Sequence, residues 1–230
     1  MKGKLALTAV FIIFVLGCGN PSAAVQVNSN AVIPGNTVKE KNTTPTSSSA
    51  AEKGQASSFQ PFLIYVDKGT PNNHYVPSGF MPDGKCLLLD DAWTENCHKG
   101  KSCIKIVYDT ECSKQSRKWA GIYWLNPANN WGSQKGGFNL TGAQKLTFWA
   151  RGEKGGERIE EIKIGGIIGE YPDSDSAVIG PVILTPEWKE YTIDLRGKDL
   201  SFISGGFTWS AKEEVNPSGC TFYLDDIQYE

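Results

Sequence analysis

The chain has 230 residues, a formal net charge of −2 and 11% aromatic residues. From Phe59 onward it carries 18 basic and 23 acidic residues, a net of −5, together with all seven Trp. Neutralising a phosphate backbone needs clustered Lys and Arg, so this balance makes a poor nucleic-acid binder. After the N-terminal sixteen residues no apolar run approaches membrane-spanning length.

Lys2 and Lys4 open the chain, and Leu5 to Leu16 follow as a mostly apolar run of twelve. A basic start, a short apolar run and a small residue before the cut predict a secretory signal over residues 1–17. The run ends in Val15-Leu16-Gly17-Cys18, which resembles a bacterial lipobox. The resemblance implies cleavage before Cys18, lipidation of its sulfur and a chain tethered to a membrane of the cell envelope. In a diderm bacterium, Gly19 in place of Asp after the cysteine implies sorting to the outer membrane. The alternative is an ordinary secretory signal with an incidental cysteine.

Residues 19–58 contain no Phe, Trp or Tyr and are rich in Ser, Thr, Asn, Ala and Pro. Such a segment cannot bury enough apolar surface to offset its ordering entropy. Residues 18–58 are therefore expected to be a disordered tether, with an r.m.s. reach on the order of 35 Å. Residues 59–230 are long enough for one domain with a sizeable core.

Five cysteines fall in that domain: Cys86, Cys97, Cys103, Cys112 and Cys220. An exported chain can keep disulfides. The short spacing of Cys97 and Cys103 predicts a local disulfide, worth roughly 2 kcal/mol by chain entropy. The pairing of Cys86, Cys112 and Cys220 stays open, since five is odd. Metal binding by cysteine is disfavoured, because no CxxC occurs and His74 and His98 lack ligand spacing.

Along the domain, strands are predicted over residues 61–66, 86–90, 103–108, 120–124, 145–151, 159–168, 177–184, 189–195, 206–210 and 221–229. Several alternate with period two, and Gly, Pro, Asn and Asp clusters punctuate the gaps. No apolar stripe persists at helical spacing for three turns. Many short strands at regular intervals predict an all-β sandwich, and their number fits a jelly roll.

Acid pairs are the first test for a hydrolase, because glycosidases need two carboxylates facing each other across a cleft. Asp90-Asp91, Glu160-Glu161 and Glu213-Glu214 are sequence neighbours, so on a strand the two members point to opposite faces. His74 and His98 sit in loops, with no sign of a nucleophile–base pair. A hydrolase is thus the less favoured class.

The aromatics carry more. Ala120, Ile122 and Trp124 share one strand face and read as core, which turns Trp119 and Tyr123 outward. Leu146, Phe148 and Ala150 likewise read as core and turn Trp149 and Arg151 outward. These four are expected on one solvent-facing surface, with Trp131 and Trp209 at its rim. Flat rings on an open sheet can stack on sugar faces while polar side chains bind the hydroxyls.

Three segments carry a family resemblance: Leu146-Thr147-Phe148-Trp149-Ala150-Arg151-Gly152, Thr185 to Leu195, and Thr221-Phe222-Tyr223-Leu224-Asp225-Asp226-Ile227. They are similar to strands of bacterial carbohydrate-binding modules with a galactose-binding-domain-like jelly-roll fold. The resemblance implies non-catalytic carbohydrate binding. It also implies a structural calcium ion on Asp225 and Asp226; Asp67, after the first predicted strand, is a further candidate oxygen ligand that matches no motif of the family. Calcium wants several oxygen ligands. The reading is a lipid-anchored envelope lipoprotein that binds carbohydrate; the alternative is an envelope lipoprotein that binds a protein partner.

Overall fold

The structure is a computed structural model, and it describes residues 58–82, 84–113 and 117–230. The expected signal, Cys18 and the tether up to residue 57 lie outside the described residues. Among the described residues no helix is long and apolar enough to cross a membrane.

In chain order the elements begin with β1 (Phe62–Tyr65), β2 (Val76–Met81), β3 (Leu87–Trp93), β4 (Cys103–Tyr108) and the single turn α1 (Thr110–Ser113). There follow β5 (Trp119–Leu125), β6 (Lys145–Gly152), β7 (Arg158–Ile159), β8 (Glu161–Gly165) and β9 (Ser176–Ile179). The last are β10 (Val182–Ile183), β11 (Lys189–Asp194), β12 (Gly205–Lys212) and β13 (Cys220–Tyr229). One antiparallel sheet has the order β11-β6-β13-β4-β3, with β1 also pairing β13; the second has the order β2-β5-β12-β8-β9. From β4 to β6, and again from β11 to β13, each successive strand crosses to the other sheet. This back-and-forth winding makes the domain a jelly-roll β-sandwich.

The core lies between the two sheets. β4, β6 and β13 of the first sheet contribute Ile104, Ile106, Leu146, Phe148, Phe222 and Leu224. β5, β8 and β12 of the second contribute Ile122, Trp124, Ile162, Ile164, Phe207 and Trp209. Trp209 meets Phe222 edge-on at 4.8 Å, and Phe148 meets Phe207 at 5.4 Å, so aromatic contacts bridge the sheets. Burying each such side chain is worth about 1.5–3 kcal/mol. Period-two alternation follows from this geometry: every second residue of each strand must fill the gap.

Two expected strands are each divided. Residues 159–168 split into β7 and β8 because Glu160 leaves the ladder and its N–H donates to the Ser210 carbonyl at 2.8 Å. Residues 177–184 split into β9 and β10 at Gly180, whose φ of 145° and close approach to the Glu160 carbonyl admit no side chain. β2 was not foreseen, because Pro77 and Gly79 punctuate it like a loop. As the edge strand of its sheet it tolerates proline, which has no N–H to donate.

Two disulfides brace the first sheet. Cys97 pairs with Cys103 as expected, and Cys86 pairs with Cys112, resolving the open pairing. Cys220 is a free, buried thiol whose burial pushes its pKa up to about 12.

Candidate functional site

The site is built on the outer face of the second sheet. β5 turns Ala120, Ile122 and Trp124 into the core, so Trp119, Gly121 and Tyr123 face out. Register then sets their neighbours. Thr208 of β12 lies beside Tyr123 and Lys163, and Ser210 lies beside Gly121 and Glu161. Met81 of β2 flanks Gly121 on the other side. Gly121, Ser210 and Thr208 are small, whereas Trp119 and Tyr123 are large. The result is a trough with a low floor between two aromatic walls.

The trough is a hollow of 160 Å³ lined by Met81, Trp119, Tyr123, Glu161, Lys163 and Thr208 among others. Beyond Trp119 it meets a wider hollow of 640 Å³ lined by Arg117, Lys118, Lys212 and Glu213. Trp131, 43% exposed, stands edge-on to Tyr123 at 5.7 Å and forms a rim at the other end. Gly79 permits this, since a Cβ there would lie 2.9 Å from the Trp131 ring and 2.8 Å from Tyr123. Asn130, fully buried, shapes the loop that carries Trp131: its side chain donates to the Gln134 carbonyl and accepts from the Gly132 N–H.

Part of the trough's polar set is uncommitted, although Lys163 also interacts with the Tyr123 hydroxyl. The Thr208 hydroxyl oxygen is buried without a hydrogen-bond partner among the described residues. Neither Glu161 nor Lys163 has an ion-pair partner there, and Lys163 Nζ stands 5.7 Å from the Tyr123 ring. The Tyr123 hydroxyl donates to the Gly165 carbonyl at 3.2 Å, and burial raises its pKa, so the phenol stays neutral at physiological pH. An acceptor, a cation and a hydroxyl thus converge between two aromatic rings.

No family model matches the chain, and no curated protein does. Solved structures similar to it are carbohydrate-binding modules. A family 30 module from a cellulosomal cellulase of Clostridium thermocellum is 17% identical, with a TM-score of 0.48 over 74% of this chain and 97% of the module. A family 11 module from another cellulosomal cellulase of that organism is 12% identical, with a TM-score of 0.49 over 75% and 95%. A variant family 29 module is 13% identical, with a TM-score of 0.43 over 74% and 91%.

The six aromatic and cationic residues expected on one surface are divided by the structure. Trp119, Tyr123 and Trp131 share the second sheet's outer face, but Tyr123 is not solvent-facing as expected: it is 6% exposed, packed with Leu125 and Ile167 beneath the edge of Trp131. Trp149 and Arg151 leave the core side as expected, but from β6, which belongs to the first sheet, and Arg151 is buried between Tyr223 and Trp188 rather than solvent-facing. They lie on the opposite side of the sandwich. Strand parity says which residues leave the core; it cannot say in which sheet the strand sits. Trp209 is a correction of a different kind: it is 1% exposed and packed on Phe222, so it fills the core. Its outward neighbours Thr208 and Ser210 are the residues β12 supplies to the trough. Glu161 and Lys163 were missed as well, although the Glu161-Ile162-Lys163-Ile164 alternation marks both as outward-facing.

Trp149 is covered. His98 stacks on it at 3.7 Å and 13°. His98 belongs to the loop closed by Cys97 and Cys103, which two carboxylates hold against the first sheet. Asp225, fully buried, accepts the N–H groups of His98 at 3.0 Å, Lys99 at 3.1 Å and Asp226 at 2.9 Å. Asp67 accepts those of Lys101 at 2.6 Å and Ser102 at 2.7 Å. Gly100, with φ of 68°, turns the loop between the two sets; a Cβ there would lie 2.6 Å from the Asp67 oxygens. Burial pushes the Asp225 pKa up to about 6, whereas the backbone donors hold Asp67 below the usual carboxylate value.

This donor set bears on the expected calcium ion. His98, Asp225 and Asp226 bring three ligand atoms within 4.8 Å of one another. Calcium takes six to eight oxygens. Here the Asp225 oxygens carry three backbone N–H groups, and Asp226 accepts from His98 Nδ1 at 2.9 Å. Donors aimed at the carboxylates occupy the directions a cation needs, so these residues do not fit calcium.

Proposed function

We propose that the domain binds carbohydrate without chemical turnover, in the trough between Trp119 and Tyr123. The observation that carries this reading is the small-residue floor of Gly121 and Ser210 between two aromatic walls. A pyranose presents an apolar face and a rim of hydroxyls. The rings of Trp119 and Tyr123 suit the first; Glu161 and Lys163 suit the second. Sites of this kind pair apolar walls with a few convergent polar groups. Trp131 extends the surface beyond Tyr123 for a further sugar unit.

The test is a glycan array probed with the full chain, followed by titration of the best neutral oligosaccharide. Trp119→Ala is expected to weaken binding about tenfold or more, equivalent to about 1.4 kcal/mol. Binding that survives Trp119→Ala and Tyr123→Ala unchanged would sink the assignment.

The reading includes an anchor. Lipidated Cys18 and the tether of residues 18–58 would hold this domain at the cell envelope, on the outer membrane in a diderm cell. Cys18→Ser is expected to abolish lipid labelling and to release the domain from membranes. Unaltered membrane retention of that variant rules the anchor out.

A further inference from the structure

We propose that the outer face of the first sheet is a second binding site, specific for a carboxylate-bearing glycan. It is separate from the trough and does not rest on it. Its basis is a row of side chains that crosses all five strands of that sheet's path. Trp93 ends β3, Lys105 is on β4, Tyr223 on β13, Arg151 on β6, and Trp188 immediately precedes β11. Lys105, Tyr223 and Arg151 are direct cross-strand partners. Four inter-strand spacings span roughly 19 Å, enough for an extended oligosaccharide of several units.

Two aromatic ends bracket a cationic centre. Lys105 Nζ lies 3.8 Å from the Trp93 ring and 5.8 Å from that of Tyr223. The Arg151 guanidinium lies 3.7 Å over Tyr223 and 5.5 Å from Trp188. Neither cation has an ion-pair partner among the described residues. Arg151 is only 7% exposed, its Nε has no hydrogen-bond partner, and its Nη1 makes one long bond to the Gly152 carbonyl at 3.3 Å. The neighbouring acid, Glu153, spends an oxygen on the Tyr223 hydroxyl at 2.5 Å.

A largely desolvated guanidinium without a carboxylate costs folding free energy, and stacking on two rings offsets only part of that. As a fold-stabilising choice it is poor. As a ligand site it is apt. A guanidinium stacked between rings, with Nε unbonded and Nη1 on one long bond, can turn its fork to a carboxylate, the partner that fork matches. Trp93 and Trp188 are half-buried and present stacking faces at each end. Their indole N–H groups are already committed to the carbonyls of Glu95 and Asn96, so the segment that leads into the Cys97–Cys103 loop fixes both rings. On the other side the sheet opens into a hollow of 320 Å³ lined by Leu88, Val107, Glu153 and Thr221 among others. Leu88 is 72% exposed there. Aromatic ends with an unpaired cationic middle select a sugar acid over a neutral sugar.

The experiment titrates the full chain with tetramers of galacturonate and of mannuronate, and with the carboxyl-reduced form of each. At least one uronate is expected to bind saturably and at least tenfold tighter than its reduced form. The indole N–H signals of Trp93 and Trp188 should shift during that titration. Arg151→Lys, which keeps the charge and loses the fork, and Lys105→Ala, at a half-buried position, should each weaken binding about tenfold. No binding of either uronate to folded protein overturns the proposal. So does equal binding of the reduced forms, or a response confined to Trp119 and Trp131. Wild-type affinity in both variants overturns it too, and the Lys105 variant keeps that outcome accessible if the Arg151 variant fails to fold.

Discussion

The two outer faces of this sandwich are built on opposite plans. On the second sheet, small residues open a trough whose Glu161 and Lys163 make no ion pair among the described residues, with Trp131 and Ile167 covering only its Tyr123 end. On the first sheet, large residues fill the face, a loop lies across part of it, and two disulfides and two carboxylates hold that loop and the edge strand β3 in place. Both faces carry tryptophan, yet Trp119 borders a hollow and Trp149 is stacked under His98. An outward-facing aromatic is therefore not by itself a platform. Its accessibility depends on what the chain lays over it.

The sharpest way to break this contrast is to remove the acceptor that latches the loop. Asp225→Ala strands three part-buried N–H groups, and at roughly 1–1.5 kcal/mol each should cost about 4 kcal/mol of stability. Urea unfolding measures it. A cost below about 1 kcal/mol would mean that water readily replaces the carboxylate and that the loop is not latched. Removing the disulfides comes next. By chain-entropy arithmetic, replacing Cys86 and Cys112 by Ser should cost about 3.5 kcal/mol, and replacing Cys97 and Cys103 about 2 kcal/mol. The second pair should also bring Trp149 closer to solvent, which acrylamide quenching would read. Equal losses from both pairs would contradict the loop-length argument.

On the other face the expected stability effects are smaller. Trp119→Ala truncates a half-buried ring outside the core and should cost less than about 1 kcal/mol of stability, while lowering affinity for a neutral oligosaccharide about tenfold. A large stability loss would place that ring in a structural role and weaken its assignment to the trough.

A further effect is a pH dependence on the latched face. The folded pKa of Asp225 lies above its ordinary value, at about 6, because burial disfavours the charged form. Between about pH 4 and pH 6 the folded state therefore binds more protons than the unfolded state at this site, and its contribution to stability falls as pH rises. Asp225→Asn removes that contribution. Carboxylates held below their usual value, such as Asp67 and Glu160, act in the opposite sense in both proteins. The difference between wild type and variant isolates the Asp225 slope. An identical pH profile in the two proteins would show that Asp225 titrates normally.

Much of this architecture was legible in the chain. Ala120, Ile122 and Trp124 against Trp119 and Tyr123, and Leu146, Phe148 and Ala150 against Trp149 and Arg151, sort correctly into the inner and outer faces of their sheets, although Tyr123 and Arg151 are buried on the outer side. Period-two alternation is a local property, and a two-sided sandwich enforces it strand by strand. The disulfide between Cys97 and Cys103 was readable for the same reason: six residues of separation leave little else for the pair to do.

Relations between strands were not legible. Nothing local distinguishes β5 from β6, yet the jelly-roll winding puts them in different sheets and parts Tyr123 from Trp149. Nothing near Trp209 says that its ring fills the gap against Phe222, 13 residues later in the chain. The trough needs Gly121, Ser210 and Glu161 side by side, and only register across three strands places them there. Asp225 looked like a cation ligand until the loop at His98 and Lys99, more than 120 residues earlier, supplied its donors. The sequence by itself determined which side chains leave the core, because backbone pleating is set residue by residue. Only the tertiary structure decided which of them meet, because that depends on pairing between segments far apart in the chain.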